Sequence, residues 1–129
     1  MSRFIFAIVA FIAMPSVCFA NSLFECRTTS VIATYPTRYS EGKPFSFDMA
    51  VSGENVFLRT ANKKENFFFR SIDLKRHPEF KNDDLFMAHK YLGSTDVVIG
   101  TLSFHNSDFS FSNVSSSVSF HVRAKCELK

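Results

Sequence analysis

Four histidines, His77, His89, His105 and His121, are the residues of this sequence best suited to move a proton or hold a metal ion. A zinc site asks for closely spaced pairs such as His-x-x-x-His, and none is present. No metal and no cofactor is therefore expected. His105 and His121 fall in neighbouring segments and could still meet across two strands. Acid–base chemistry has one candidate stretch, residues 75–84 (KRHPEFKNDD), where His77 lies close to Glu79, Asp83 and Asp84. Adjacent acids in so charged a stretch are normally solvated, which is a poor start for catalysis. No serine sits in a Gly-x-Ser-x-Gly setting. No catalytic residue is assigned, and a hydrolase working through residues 77–84 stands as the lesser alternative.

Binding is the chemistry better served. Residues 75–84 and 34–43 (TYPTRYSEGK) are the two long irregular stretches in a chain otherwise made of short turns. Long loops on a scaffold of tight hairpins disproportionately carry function. Tyr35 and Tyr39, around Pro36, are the candidate contacts of the first loop, and Arg76, His77 and Phe80 those of the second. Near the end, Ser110, Ser112, Ser115, Ser116, Ser117 and Ser119 make a hydroxyl-rich tract that reads as a solvated outer face.

The elements that must hold these residues are strands, because apolar residues recur with period two. Phe45, Phe47, Met49 and Val51 alternate with Ser46, Asp48 and Ala50. Val118, Phe120, Val122, Ala124, Cys126 and Leu128 alternate with Ser119, His121, Arg123, Lys125 and Glu127, which places Phe120 inside and His121 outside. Further strands are expected over 23–33, 56–60, 67–74, 97–104 and 109–114. Residues 85–92 read as strand or short helix, because Leu85, Phe86, Ala88, His89 and Leu92 also share a helical face. The expectation is an all-β domain of about seven or eight strands. Thirteen of the seventeen phenylalanines lie beyond residue 20 and can supply a dense core for so small a domain.

The first twenty residues read as a secretory signal. Arg3 gives a basic start, residues 4–14 are an unbroken apolar run, and Cys18-Phe19-Ala20 offers small residues for a cut after Ala20. Eleven apolar residues make a helix of about 16 Å, short of a ~30 Å hydrocarbon core. One domain, residues 21–129, is expected after cleavage, without a membrane-spanning segment and in the periplasm or outside a bacterial cell. The formal net charge is only +3 and no basic stripe appears, so nucleic acid is not an expected partner.

Beyond the leader two cysteines remain, Cys26 and Cys126, near the two ends of the domain. An even count in an oxidising compartment predicts a bond between them. Disulfide geometry brings their Cα atoms within about 7 Å and so joins first strand to last. That closes the antiparallel meander into a small β-barrel or a curled sandwich. Phe24-Glu25-Cys26 after the leader, aromatic alternating strands and a cysteine in the last strand resemble small exported bacterial proteins of unassigned function. The resemblance carries no functional residue with it. The expected function is a non-catalytic interaction module for a protein or envelope component, through loops 34–43 and 75–84. The alternative is a barrel that holds a small apolar ligand.

Overall fold

A computed structural model describes residues 21–36, 38–60, 71–79, 82, 84–114 and 118–129. The expected signal, residues 1–20, and Phe80 and Asp83 lie outside the described residues. So do the first part of the expected strand 67–74 and Ser115, Ser116 and Ser117. The described residues form nine strands: β1 (Asn21–Thr34), β2 (Tyr39–Glu41), β3 (Ser46–Ser52), β4 (Asn55–Arg59), β5 (Ser71–Arg76), β6 (Leu85–Tyr91), β7 (Val98–His105), β8 (Asp108–Val114) and β9 (Ser119–Leu128). From β4 to β9 each strand pairs antiparallel with the one before it, β3 pairs with β1, and β1 pairs with β9. Eight strands thus close a barrel, and β2 lies outside the ring against β1.

The alternation determines which face of each strand turns inward. Phe47, Met49 and Val51 of β3, Phe109 and Phe111 of β8, and Phe120, Val122, Ala124 and Cys126 of β9 are all buried. Leu128 continues that spacing but is 68 % exposed, because it stands at the barrel rim. Residues 85–91 are strand: Phe86 and Ala88 face inward while Leu85 and Tyr91 are exposed. Seven residues are too few to sustain an isolated helix, and β5 and β7 offer edges on both sides.

β1 carries the closure. Its first half pairs with β3, its last residues pair with β2, and nearly its whole length pairs with β9. A β-bulge between Thr28 and Ser30 shifts the β9 register at the point where β1 changes its other neighbour. Thr28 is buried there and fully used: its N–H donates to the Phe45 carbonyl at 3.0 Å, and its Oγ1 accepts from the Phe45 N–H at 2.8 Å. Gly42 lets the chain leave β2 across Val31, since a Cβ at this position would lie 2.9 Å from Val31 Cγ1.

Cys26 and Cys126 face each other in the β1–β9 register, 4.0 Å apart at Cα, and are bonded across a separation of 100 residues. An eight-stranded barrel has an interior just wide enough for side chains to fill. Here the phenylalanines fill it, with Phe24–Phe104 and Phe86–Phe104 ring centroids 5.1 Å apart, Phe47–Phe109 at 5.0 Å and Phe111–Phe120 at 5.8 Å. The outer wall carries Asp73, Lys75, Thr101, Ser103 and Arg123, all exposed. Apolar inside and polar outside is the reverse of a barrel that crosses a membrane.

The register makes a sharp distinction between neighbours in β9. Phe120→Ala opens a core cavity and should cost about 3–5 kcal/mol in denaturant melts. His121 points outward but is half-buried, with Nδ1 2.5 Å from Ser112 Oγ, so His121→Ala should cost about 1 kcal/mol. Equal effects would contradict the facing of β9.

Candidate functional site

Strand direction sorts the connections into two ends. The β3–β4 turn, the β5–β6 loop, the β7–β8 turn and residues 128–129 gather at one end, called here the turn end. The β1–β2 hairpin and the β6–β7 connection lie at the other, the hairpin end. The two loops expected to make contacts, 34–43 and 75–84, are therefore at opposite ends and cannot share one site. Both are also shorter than expected. β1 runs on to Thr34 and the chain returns as β2, so Tyr39 is an exposed strand residue, while Tyr35 N–H donates to the Arg38 carbonyl at 2.7 Å in the turn between. Lys75 and Arg76 belong to β5.

Arg76 shows how the sheet places a charged group. It follows Ile72 and Leu74 at period two, so its side chain points inward at the barrel rim, opposite Ala88. The guanidinium lies 5.1 Å from the centre of the Phe86 ring. Its Nη1 donates to the Gly53 carbonyl and its Nη2 to the Asn82 carbonyl, each at 3.3 Å, and its N–H donates to the Glu54 carbonyl at 2.7 Å. One half-buried side chain thereby ties the β3–β4 turn to the β5–β6 loop. The cation rests on an aromatic face, an attractive arrangement.

His77 follows. Its N–H donates to the Met87 carbonyl at 2.8 Å, and its Nδ1 accepts from the Glu79 N–H at 3.2 Å. With Nδ1 engaged, the proton of the neutral ring lies on Nε2. His89 packs beside it with ring centroids 6.1 Å apart. His105 and His121, expected as possible neighbours, are separated by β8: His105 pairs with Asp108, and His121 with Ser112. Among the described residues no three His, Cys, Asp or Glu side chains are grouped to hold a metal ion.

Two clefts open at the turn end. One, of about 420 Å³, is bounded by Gly53 and Glu54 on one side and Arg76, His77 and Pro78 on the other. The second, of about 400 Å³, has Phe24, Phe104, Cys126 and Leu128 as apolar walls, with Asp84, Asn106 and Ser107 among its polar groups. The β7–β8 turn is held beside this cleft by two backbone bonds: Asn106 N–H donates to the Asp84 carbonyl at 2.8 Å, and Cys126 N–H donates to the Ser107 carbonyl at 2.9 Å. On the turn's flank Lys125 pairs with Asp108, and that hydrogen bond and charge hold the Asp108 carboxyl below its ordinary range.

Of the contact residues expected from the sequence, Arg76 and His77 line the first cleft, whereas the second cleft was not anticipated. Its walls come from β1, β7 and β9, so no local pattern marks them. The hydroxyl face was recognised only in part: Ser103, Ser110 and Arg123 form one outward row and Thr101, Ser112 and His121 another.

Asn106 and Ser107 both have positive φ, 46° and 78°, the two-residue geometry that favours Asn-Gly. Serine at the second position carries strain that glycine would relieve. Ser107→Gly should therefore raise stability by about 0.5–1 kcal/mol in denaturant melts, net of the entropy lost on folding a glycine. A loss of stability would show that the Ser107 side chain contributes an interaction of its own at the cleft.

A scan against protein-family models finds no match to this chain, and a search of curated proteins finds no matching sequence.

Proposed function

We propose that this chain is a non-catalytic binding module of an oxidising, extracytoplasmic compartment, which receives a partner's small group in the clefts of its turn end. The observation that carries the reading is the contrast between a barrel interior filled by phenylalanine and a cleft of about 400 Å³ at its mouth with apolar walls and a few polar groups. Pockets of about 300–1,000 Å³ with that division of surface, placed at the mouth of a barrel, are the usual form of small-group recognition. The filled interior moves the small-ligand alternative from the lumen to the rim. The hydrolase alternative fares less well, because the Glu79 amide occupies the lone pair that His77 would need as a base. The Cys26–Cys126 bond supports an oxidising compartment, and a protein or envelope component stays the expected partner.

The reading is tested by recording ¹⁵N–¹H spectra of the labelled protein with small water-soluble aliphatic and aromatic fragments. Shift changes should cluster on Ser22, Phe24, Asn106, Ser107 and the Arg76–His77 amides, with weak, saturable affinities in the millimolar range for fragments of this size. Changes scattered over the wall, or confined to the β6–β7 connection, would contradict it.

A further inference from the structure

The hairpin end has a different surface chemistry from the clefts. Six of the nine large hydrophobic residues exposed among the described residues lie there: Tyr39, Tyr91, Leu92, Val97, Val98 and Val114. Leu92, Val97 and Val114 are 53 %, 55 % and 59 % exposed. Tyr91, Val98 and Val114 stand at the ends of three successive strands, β6, β7 and β8. Thr34 pairs with Tyr39 on one side and Ser119 on the other, Ser119 pairs with Val114, and Tyr91 pairs with Val98. Scattered single hydrophobics on a surface need no explanation, but a cluster at one end does.

The tip that displays Leu92 and Val97 is already ordered. Leu92 N–H donates to the Val97 carbonyl at 2.9 Å, Thr95 N–H and Oγ1 donate to the Leu92 carbonyl at 3.0 and 2.6 Å, and Val97 N–H reaches Thr95 Oγ1 at 3.3 Å. These bonds close the turn on itself and hold Leu92 and Val97 side by side at its base.

Charge differs between the ends in the same sense. Around the hairpin end stand Arg38, Lys43 and Lys90 against Glu41 and Asp96, and none of the three cations has an ion-pair partner among the described residues. Arg38 lies over the Tyr35 ring at 4.7 Å, an amphipathic pair of the kind found where apolar and aqueous layers meet. At the turn end, among the described residues, Glu54, Glu79, Asp84, Asp108 and Glu127 stand against Lys75, Arg76, Lys125 and Lys129.

The geometry points to the hairpin end as a docking surface for a lipid bilayer that carries anionic headgroups. Leu92 and Val97 enter the interfacial layer, Tyr35, Tyr39 and Tyr91 lie at its boundary, and Arg38 and Lys43 meet the headgroups. Protruding apolar tips separated by Thr34 and Ser119 suit a soft lipid layer better than a second rigid surface. With two carboxylates nearby, electrostatics supplies orientation and apolar insertion most of the affinity. The inference is independent of the proposed function, because it concerns the opposite end and would leave the clefts facing water.

Flotation of the purified exported protein with vesicles tests this. The protein should float with vesicles of phosphatidylcholine and phosphatidylglycerol, less with phosphatidylcholine alone, and less at high salt. Joint replacement Leu92→Asp and Val97→Asp, at exposed positions that leave the core untouched, should lower vesicle affinity by about tenfold or more. Leu128→Asp at the other end should float like the unaltered protein. Failure to float with either vesicle, or undiminished flotation of the Leu92/Val97 variant, would overturn the inference. A dimer that the same two replacements dissociate, without flotation, would assign the surface to a second copy instead.

Discussion

The ladder between β1 and β9 is the interaction on which the rest of this structure depends. Without it the strands from β1 to β9 would be an open meander with two exposed edges, and the inward phenylalanines of its terminal strands would lack an opposite wall. The ladder joins the beginning of the domain to its end, the most costly pairing in loop entropy that the chain makes. The Cys26–Cys126 bond lies within this ladder and removes much of that cost from the unfolded chain, by up to ~4.7 kcal/mol on the chain-entropy view. The bulge at Thr28 then lets β1 continue beyond β3 and gain β2 as a neighbour.

Closure also decides where function can sit. A ring filled from Phe24 to Phe120 leaves recognition to its ends and outer wall. At the turn end, three connections (β3–β4, β5–β6 and β7–β8) and the disulfide-bearing end of β9 meet around two clefts. At the hairpin end a rigid apolar tip and an Arg–Tyr pair stand out from the sheet. The side chains that separate these roles are few: Arg76 ties two turns together from inside the rim, and Asn106 and Ser107 hold a strained turn beside the apolar cleft.

Much of the fold was legible because burial on one face imposes period two. β3 and β9 could be read residue by residue, and two cysteines in an expected oxidising compartment were enough to infer closure. β2 left no such trace, since Tyr-Ser-Glu is exposed along its whole length and forms only because β1 offers it an edge. Residues 85–91 were ambiguous because Leu85, His89 and Leu92 also fit a helical face, and pairing with β7 settled the matter. Arg76 was named as a contact residue, and its inward direction was available from the spacing to Ile72 and Leu74. The cleft of Phe24, Phe104 and Leu128 was not available, because three strands distant in sequence build it.

Closure of the sheet is most directly tested by native-state hydrogen exchange. In a closed barrel the hydrogen-bonded amides of residues 24–34 and 119–128 should fall in the same slow class as those of β7 and β8, since opening the ladder breaches the whole core. Rapid exchange along β1 and β9, with β6 to β8 still protected, would show an open sheet held only by its disulfide and would contradict this account.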